Sequence, residues 1–414
     1  MQTRHYERFF IAMRHWCIAL LCLLTMACST SPLQTAQVQY ASGDAVSALQ
    51  TLGDGSGVPS RDKLLFWLER GLILHDEGDY EESSRALLNA ATFLEDNDFV
   101  SVSDEAAALV ANDWVRKYKG EYSEQLWIHT YLMMNFLALG RYDSAAVEAR
   151  RALERIDHKE NVLQQDAFTR ALIGLSFETA GQSNSAYIEY RKLEELLGDP
   201  GPALYSTLYA LARSLGFSND ARYYQQKLAE DESDQRSYAE VVVFLSSGQL
   251  PRKISSSLLV NYSQRVAFPQ YLPDTDSAPS VSVTVDGERC ECATVKSNLG
   301  QLARNSLHSR GIALTTRLVA RAAAKDALAD NLGDKDAVVG EIARLLFFVL
   351  EEADTRGWNS LPGHLALLRI PVSKGNQEIV VESFNTAPAT IDVSTIRAGE
   401  RRFVALRERG FLNL

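Results

Sequence analysis

A glycine-centred turn recurs five times between runs that read as helices, and this spacing constrains the first half of the chain more than any other feature. The turns hold Gly43 (ASGDAVSALQ), Gly78 (DEGDYEESSRALLNAA), Gly140 (ALGRYDSAAVEARRAL), Gly181 (TAGQSNSAYIEYRKL) and Gly216 (SLGFSNDARYYQQKL). Their separations are 35, 62, 41 and 35 residues. A helix that must stop and reverse within a few residues ends readily on glycine, which enters the left-handed region without steric cost. Leu64, Trp67, Leu68, Gly71, Leu72 and His75 fall on one face of a 3.6-residue period. Helix pairs repeated every ~34 residues cannot bury their apolar faces singly, so they must stack on one another. Helical-repeat structure is expected over residues 35–235, with helices over 124–139, 144–156, 163–180, 184–197, 202–214 and 218–229. The long gap before Gly140 leaves room for an extra helix from Ser103, with Asp104 and Glu105 suited to its first turn.

The residues around these turns resemble the tetratricopeptide repeat. Trp67 and Gly71 stand before the Gly78 turn where that repeat places a large and a small residue, and Tyr80, Ser83, Leu87 and Ala90 follow it. Tyr142, Ala145, Ala149 and Ala152 follow Gly140, while Gly174, Phe177, Ala186 and Tyr190 flank Gly181. Small residues let antiparallel helices approach, and bulky ones fill the space beside them. First helices of such units line a concave groove suited to a peptide or partner helix. Groove-facing positions would include Leu68, Leu72, Trp127, Met134, Phe168 and Leu175, and the bulky ones among them are typical interface anchors. They could equally be covered by the inserted helix or by the second half of the chain.

After Tyr238 the pattern changes. EVVVFL (240–245) reads as a strand, and Pro269, Pro273 and Pro279 mark an irregular connection. VSVTV (281–285), Asp286-Gly287 and ERCECATV (288–295) read as one hairpin, since Asp-Gly supplies the positive φ angles of a tight turn. Helices are expected over 298–330 and 335–352, then strands near 364–371, 377–384 and 401–407. The fold class expected is mainly α: a repeat solenoid over 28–237, then a smaller α+β domain over 238–414.

Residues 1–27 have the parts of an export signal: a basic segment ending near Arg14, then the apolar run CIALLCLLTMA. That run is about half the ~20 residues needed to span a bilayer. Leu24-Thr25-Met26-Ala27-Cys28 resembles a bacterial lipobox, with Thr25 where the usual pattern has leucine, so Cys28 is the expected lipid attachment. Ser29 is not the Asp that commonly retains such proteins in the inner membrane, which points to the outer membrane, facing the periplasm. The signal carries a net charge of +2 and the whole chain −11, so the body carries −13. Such acidity opposes nucleic-acid binding and electrostatic adhesion to anionic lipid. Cys290 and Cys292 are the cysteines left in the body, and an unbonded or occasionally oxidised pair is expected.

SVSDEAAALVANDW (101–114), YKGEY (118–122), EVVVFLSSGQLPRK (240–253), AFPQY (267–271) and EADTRGWNSLP (352–362), in that order, resemble a family of largely uncharacterised bacterial lipoproteins with tetratricopeptide-like repeats. Members are often encoded beside lipoproteins that activate penicillin-binding proteins. The resemblance therefore implies a place in envelope assembly, peptidoglycan included, and brings no enzymatic activity and no cofactor.

No metalloprotease, nucleophile-elbow, Walker or Rossmann signature occurs, and the histidines are scattered. Asp354, Arg356 and Trp358 could form a binding corner or simply secure a loop. A non-enzymatic scaffold with an envelope protein partner is the leading expectation. Alternatives are a part of a polysaccharide or secretion apparatus, or a hydrolase with its site in the second half.

Overall fold

The computed structural model describes residues 31–97, 116–159, 161–228, 238–261, 264–273, 280–290, 292–334, 337–349, 351–383 and 387–408. The export signal, Cys28 and the extra helix from Ser103 lie outside the described residues.

Five helix pairs come first: α1 (Pro32–Ala41) with α2 (Ala45–Leu52), α3 (Lys63–Asp76) with α4 (Tyr80–Asp96), α5 (Tyr122–Ala138) with α6 (Tyr142–Lys159), α7 (Ala167–Thr179) with α8 (Ser183–Leu197), and α9 (Pro202–Leu215) with α10 (Ser218–Leu228). One turn closes all five. Gly43, Gly78, Gly140, Gly181 and Gly216 have φ between 70 and 93°. The residue after each glycine donates its N–H to a carbonyl five residues back, as Asp79 does to Leu74 and Gln182 to Phe177. This Schellman arrangement satisfies carbonyls that a helix end leaves unpaired. Within the pairs, a Cβ on Gly71 would lie 2.7 Å from Leu87, and one on Gly174 would lie 2.6 Å from the Tyr190 ring. The two glycines thus permit the close helix approach that the repeat requires.

The second half forms three sheets. β1 (Ala239–Ser247), β6 (Ala293–Asn298), β7 (His364–Val372) and β10 (Arg401–Glu408) make a sheet of order β10-β1-β7-β6, in which β1 and β10 are parallel. β4 (Val281–Val285), β5 (Glu288–Arg289), β8 (Glu378–Ser383) and β9 (Ala389–Asp392) make a second, and β2 (Lys253–Asn261) with β3 (Gln264–Tyr271) a hairpin. Helices α11 (Leu299–Ser309), α12 (Gly311–Gly333) and α13 (Ala337–Val349) lie between β6 and β7 in sequence.

The first sheet is covered on both faces. Val242, Phe244, Leu365 and Leu367 pack with the helical repeats, whereas Val241, Val243, Ala366, Leu368 and Ile370 pack toward the second sheet. Burial on both faces explains why VVVFL (241–245) is continuously apolar rather than alternating. One hydrophobic cluster runs from Leu33 through every repeat pair to Leu367.

Three sequence expectations need correction. Pro269 does not begin an irregular connection but lies in β3 of the β2–β3 hairpin, where it is tolerated because a two-stranded sheet has only edge strands, and Pro279 lies outside the described residues. ERCECATV does not extend one hairpin: β5 ends at Arg289, and the chain crosses so that β6 pairs with β7 in the other sheet. The Asp286-Gly287 turn itself holds, with φ of 49 and 83°. Finally, Cys290 and Cys292 are joined by a disulfide, their Cα atoms 5.3 Å apart.

Candidate functional site

Helices α3, α5 and α7 turn one face toward the first sheet, with α3 and α5 against β10 and α7 against β6 and β7. The groove expected from the sequence is therefore filled by the chain's own second half. Trp127, Met134 and Phe168 are 0% exposed and Leu175 is 1% exposed, as buried as Leu68 and Leu72. In this arrangement the four residues offered as a partner-binding surface serve as core.

Polar side chains key the sheet into the groove along its length. Asp166, the N-cap of α7, accepts from the Trp127 indole (3.1 Å), from Thr169 N (3.1 Å) and Thr169 Oγ1 (2.7 Å), and from Ser297 Oγ of β6 (2.7 Å). Ser297 Oγ in turn accepts from Phe168 N at 2.9 Å. Two residues singled out from sequence thus meet at one buried carboxylate, through partners that only the fold brings near.

At the start of α5, Glu121 and Glu124 form a capping box. Glu121 accepts from Lys253 Nζ (2.9 Å) and Arg310 (2.7 Å). Burial alone would raise the Glu121 carboxyl, but the two cations outweigh it and hold it low. Glu124 accepts from Trp358 N (2.9 Å) and the Tyr118 hydroxyl (2.5 Å), and burial raises its carboxyl. In α3, Glu69 accepts from Gln37 (2.7 Å) and Asn359 N (3.0 Å), and burial pushes it up to about 7.

At the far end Glu178 and Glu240 alternate with Arg369 and Arg401. Glu178 accepts from Arg369 (3.0 Å), Arg401 (2.6 Å) and the Tyr190 hydroxyl (2.6 Å), while Glu240 accepts from both arginines. Burial opposes ionisation of Glu178, yet the two guanidinium groups overcome it and hold the carboxyl down at about 2. Charged pairs of this geometry, with every partner engaged, tie α7 to β1, β7 and β10.

The Asp354–Arg356–Trp358 segment belongs to the same junction. Arg356 donates to Asp354 (2.7 Å), to Asp62 (2.8 Å) beside α3, and to the Arg116 carbonyl (3.0 Å). Trp358 is fully buried, its ring 5.7 Å from Tyr131 of α5. The segment latches the two halves together. Among the described residues no group of three or more His, Cys, Asp or Glu side chains could hold a metal ion.

An open apolar surface lies elsewhere, on the α12–α13 hairpin, whose sequence reads only as helices. Leu318, Arg321, Lys325 and Ala329 turn α12 inward, and Arg321 and Lys325 pair with the buried Glu351. A Cβ on Gly340 would lie 2.6 Å from the Gly333 Cα, so the glycines set how closely the helices cross. The outward side of α13 carries Val338, Ile342 and Leu345, exposed by 67, 52 and 63%, flanked by Val339 and Leu346. Positions 338, 342 and 345 keep the spacing of a helix-packing seam. Glu341 stands beside it on α13, and Asp326 and Asp330 of α12 reach it through Arg344. Arg344 is shared among Asp326, Asp330 and Glu341, so the rim stays acidic. The sequence signal for this face is α13 itself, apolar on both sides although one side is exposed. Among the described residues no helix is long and apolar enough to cross a membrane.

No protein-family model matches the sequence, and no curated protein matches it. Among solved structures, MamA of Desulfovibrio magneticus RS-1 (from residue 41) overlaps 49% of this chain and 94% of its own, at 16% identity and a TM-score of 0.33. MamA of AMB-1 overlaps 49% and 97%, at 13% identity and 0.33. The apo form of RapI overlaps 53% of this chain and 59% of its own, at 12% identity and 0.35. At these TM-scores the overlaps decide neither fold nor function, and the architecture rests on the turns and packing above. The chain is a mainly α protein of tetratricopeptide-like helix pairs whose groove its own sheet occupies.

Proposed function

We propose that the protein is a non-enzymatic scaffold of the bacterial envelope, lipid-anchored through Cys28 at the outer membrane and facing the periplasm. It captures a protein partner on the α12–α13 hairpin, not in the repeat groove. The observation that carries the docking reading is the uncovered stripe Val338–Ile342–Leu345, because exposed apolar patches of this kind mark interaction surfaces. Its acidic rim selects the occupant: an amphipathic helix with an aliphatic stripe flanked by Lys or Arg. The lipobox-like LTMAC sequence supports the anchor, and the family resemblance supports a role in envelope assembly, peptidoglycan included.

Two experiments test the two parts. The probe for docking is a helix-forming peptide with leucines on one stripe and lysines beside them, compared with a version carrying glutamates instead. Fluorescence anisotropy should show saturable binding of the lysine peptide to the full chain, lost in Leu345→Glu. Equal binding of the glutamate peptide, or no effect of Leu345→Glu, overturns the assignment. A concentration-dependent dimer disrupted by Leu345→Glu would give the face to a second copy, and adsorption to zwitterionic vesicles through this face would give it to lipid; either also overturns it. For the anchor, labelled palmitate should enter the wild-type chain and not Cys28→Ala. An unlabelled wild-type chain rejects the anchor without touching the docking reading.

A further inference from the structure

We propose that Cys290–Cys292 is a stoichiometric thiol–disulfide exchange site, a redox device beside the scaffold role, that reacts with low-molecular-weight or peptide thiols. The bond lies where the chain leaves β5 of one sheet for β6 of the other, its Cα atoms 5.3 Å apart and its sequence separation 2. A cross-link stabilises a fold mainly by removing chain entropy from the unfolded state, and this grows with the loop it closes. A loop this short removes the least, about half of what a 15-residue loop does. The crossing is already held by the Cys290 N–H to Val283 carbonyl bond (2.9 Å) and by the β6–β7 pairing, so the disulfide staples nothing that the backbone does not hold.

Its surroundings suit reactivity. Both cysteines are half-buried at the edge of the second core, not sealed within it. They line an open cleft of about 230 Å³ with Ser282, Arg289 and Thr294, which admits the thiol-bearing end of an incoming molecule. Arg289 lines the same cleft, and a neighbouring cation stabilises the thiolate that must leave when the bond opens.

The exchange balances without another reagent. A substrate thiolate attacks one cysteine sulfur; the S–S bond breaks, a mixed disulfide forms, and the other cysteine departs as a thiolate. A second substrate thiolate then attacks the mixed disulfide, releasing the oxidised substrate and leaving two protein thiols. Two electrons pass from two thiols to the protein disulfide, and the reverse sequence restores it.

The test uses the full chain purified in air and equilibrated with reduced and oxidised glutathione, then quenched in acid and alkylated for intact mass. The native protein should be oxidised as purified and gain two alkyl groups in millimolar reduced glutathione with its circular dichroism unchanged. Cys292→Ser or Cys290→Ser should trap the glutathione mixed disulfide on the remaining sulfur. In the reverse reaction, re-oxidation by oxidised glutathione, where a protein thiolate attacks, Arg289→Ala should move the rate–pH profile to higher pH, and Arg289→Lys should restore it. A bond that resists glutathione until the protein is unfolded in guanidinium overturns the proposal. So does a protein whose two thiols are already free after purification in air. Neither result depends on the hairpin or on the lipid anchor.

Discussion

The filled groove and the bare hairpin are both apolar helical faces, yet only one is finished inside the chain. Along the groove, apolar residues alternate with carboxylates at Glu69, Glu124, Asp166 and Glu178, and each of these meets donors from the second half. Buried carboxylates without such partners would be strongly destabilising, so their pairing shows that the sheet is the intended occupant. The outward side of α13 has aliphatic side chains and solvent, with carboxylates only at the rim. A face that lacks keyed polar partners is the one on which the proposed docking rests.

The largest effect that would break this comparison is at Trp127. Trp127→Ala removes a fully buried ring and its bond to Asp166, and should cost about 3–5 kcal/mol in guanidinium unfolding. A loss under about 1 kcal/mol would mean that the groove is not sealed.

Glu178 comes next. Its carboxyl lies at about 2 in the fold against 4.5 when free, so the unfolded chain takes up a proton first as the pH falls. The stabilisation is whole above pH 4.5 and is lost toward pH 2, a difference on the order of 3 kcal/mol. Glu178→Gln should therefore destabilise clearly at pH 7 and much less at pH 3. Equal losses at both would dissociate the effect from charge.

Glu69 should behave oppositely. Raised to about 7 from 4.5, it holds its proton in the fold where the unfolded chain has released it, so stability declines as the pH rises through this range. Glu69→Gln should flatten that decline and match or exceed wild type at pH 8, on the order of 1 kcal/mol. A steeper decline in the variant would contradict the buried, protonated acid. The smallest effect belongs to Leu345→Ser, expected within about 0.5 kcal/mol of wild type in the same unfolding assay, because nothing covers the side chain. A loss like that of Trp127→Ala would show the hairpin to be packed core.

Local signals were legible where local physics decides. The five turn glycines, the small residues Gly71 and Gly174, and the helices around them follow from periodicity and left-handed caps, and each appears as read. The Asp286-Gly287 turn was equally readable, but the strand after it was not. Whether residues 293–298 continue one sheet or cross to another depends on β7, some seventy residues later in the sequence. The β2–β3 hairpin was hidden by Pro269, whose missing donor matters little at a sheet edge. Trp127, Met134, Phe168 and Leu175 read as apolar residues of first helices and are buried, while Ser297, Lys253, Arg369 and Arg401, which key the second half to Asp166, Glu121 and Glu178, carry no mark in the sequence that could have named them.

By itself the sequence determined the helix pairs, their turns, the apolar faces of the repeats and the passage to strands after Tyr238, because each depends on neighbours within a few residues. Tertiary structure alone decided which apolar face is core and which is surface. The second half could close the groove because its hydroxyls, charges and backbone N–H groups met carboxylates of α3, α5 and α7 across more than a hundred residues of chain. Among the described residues no comparable surface folds back onto the outward side of α13, so an apolar helix face is left exposed. Burial belongs to pairs of surfaces, and a sequence read alone displays only one member of each pair.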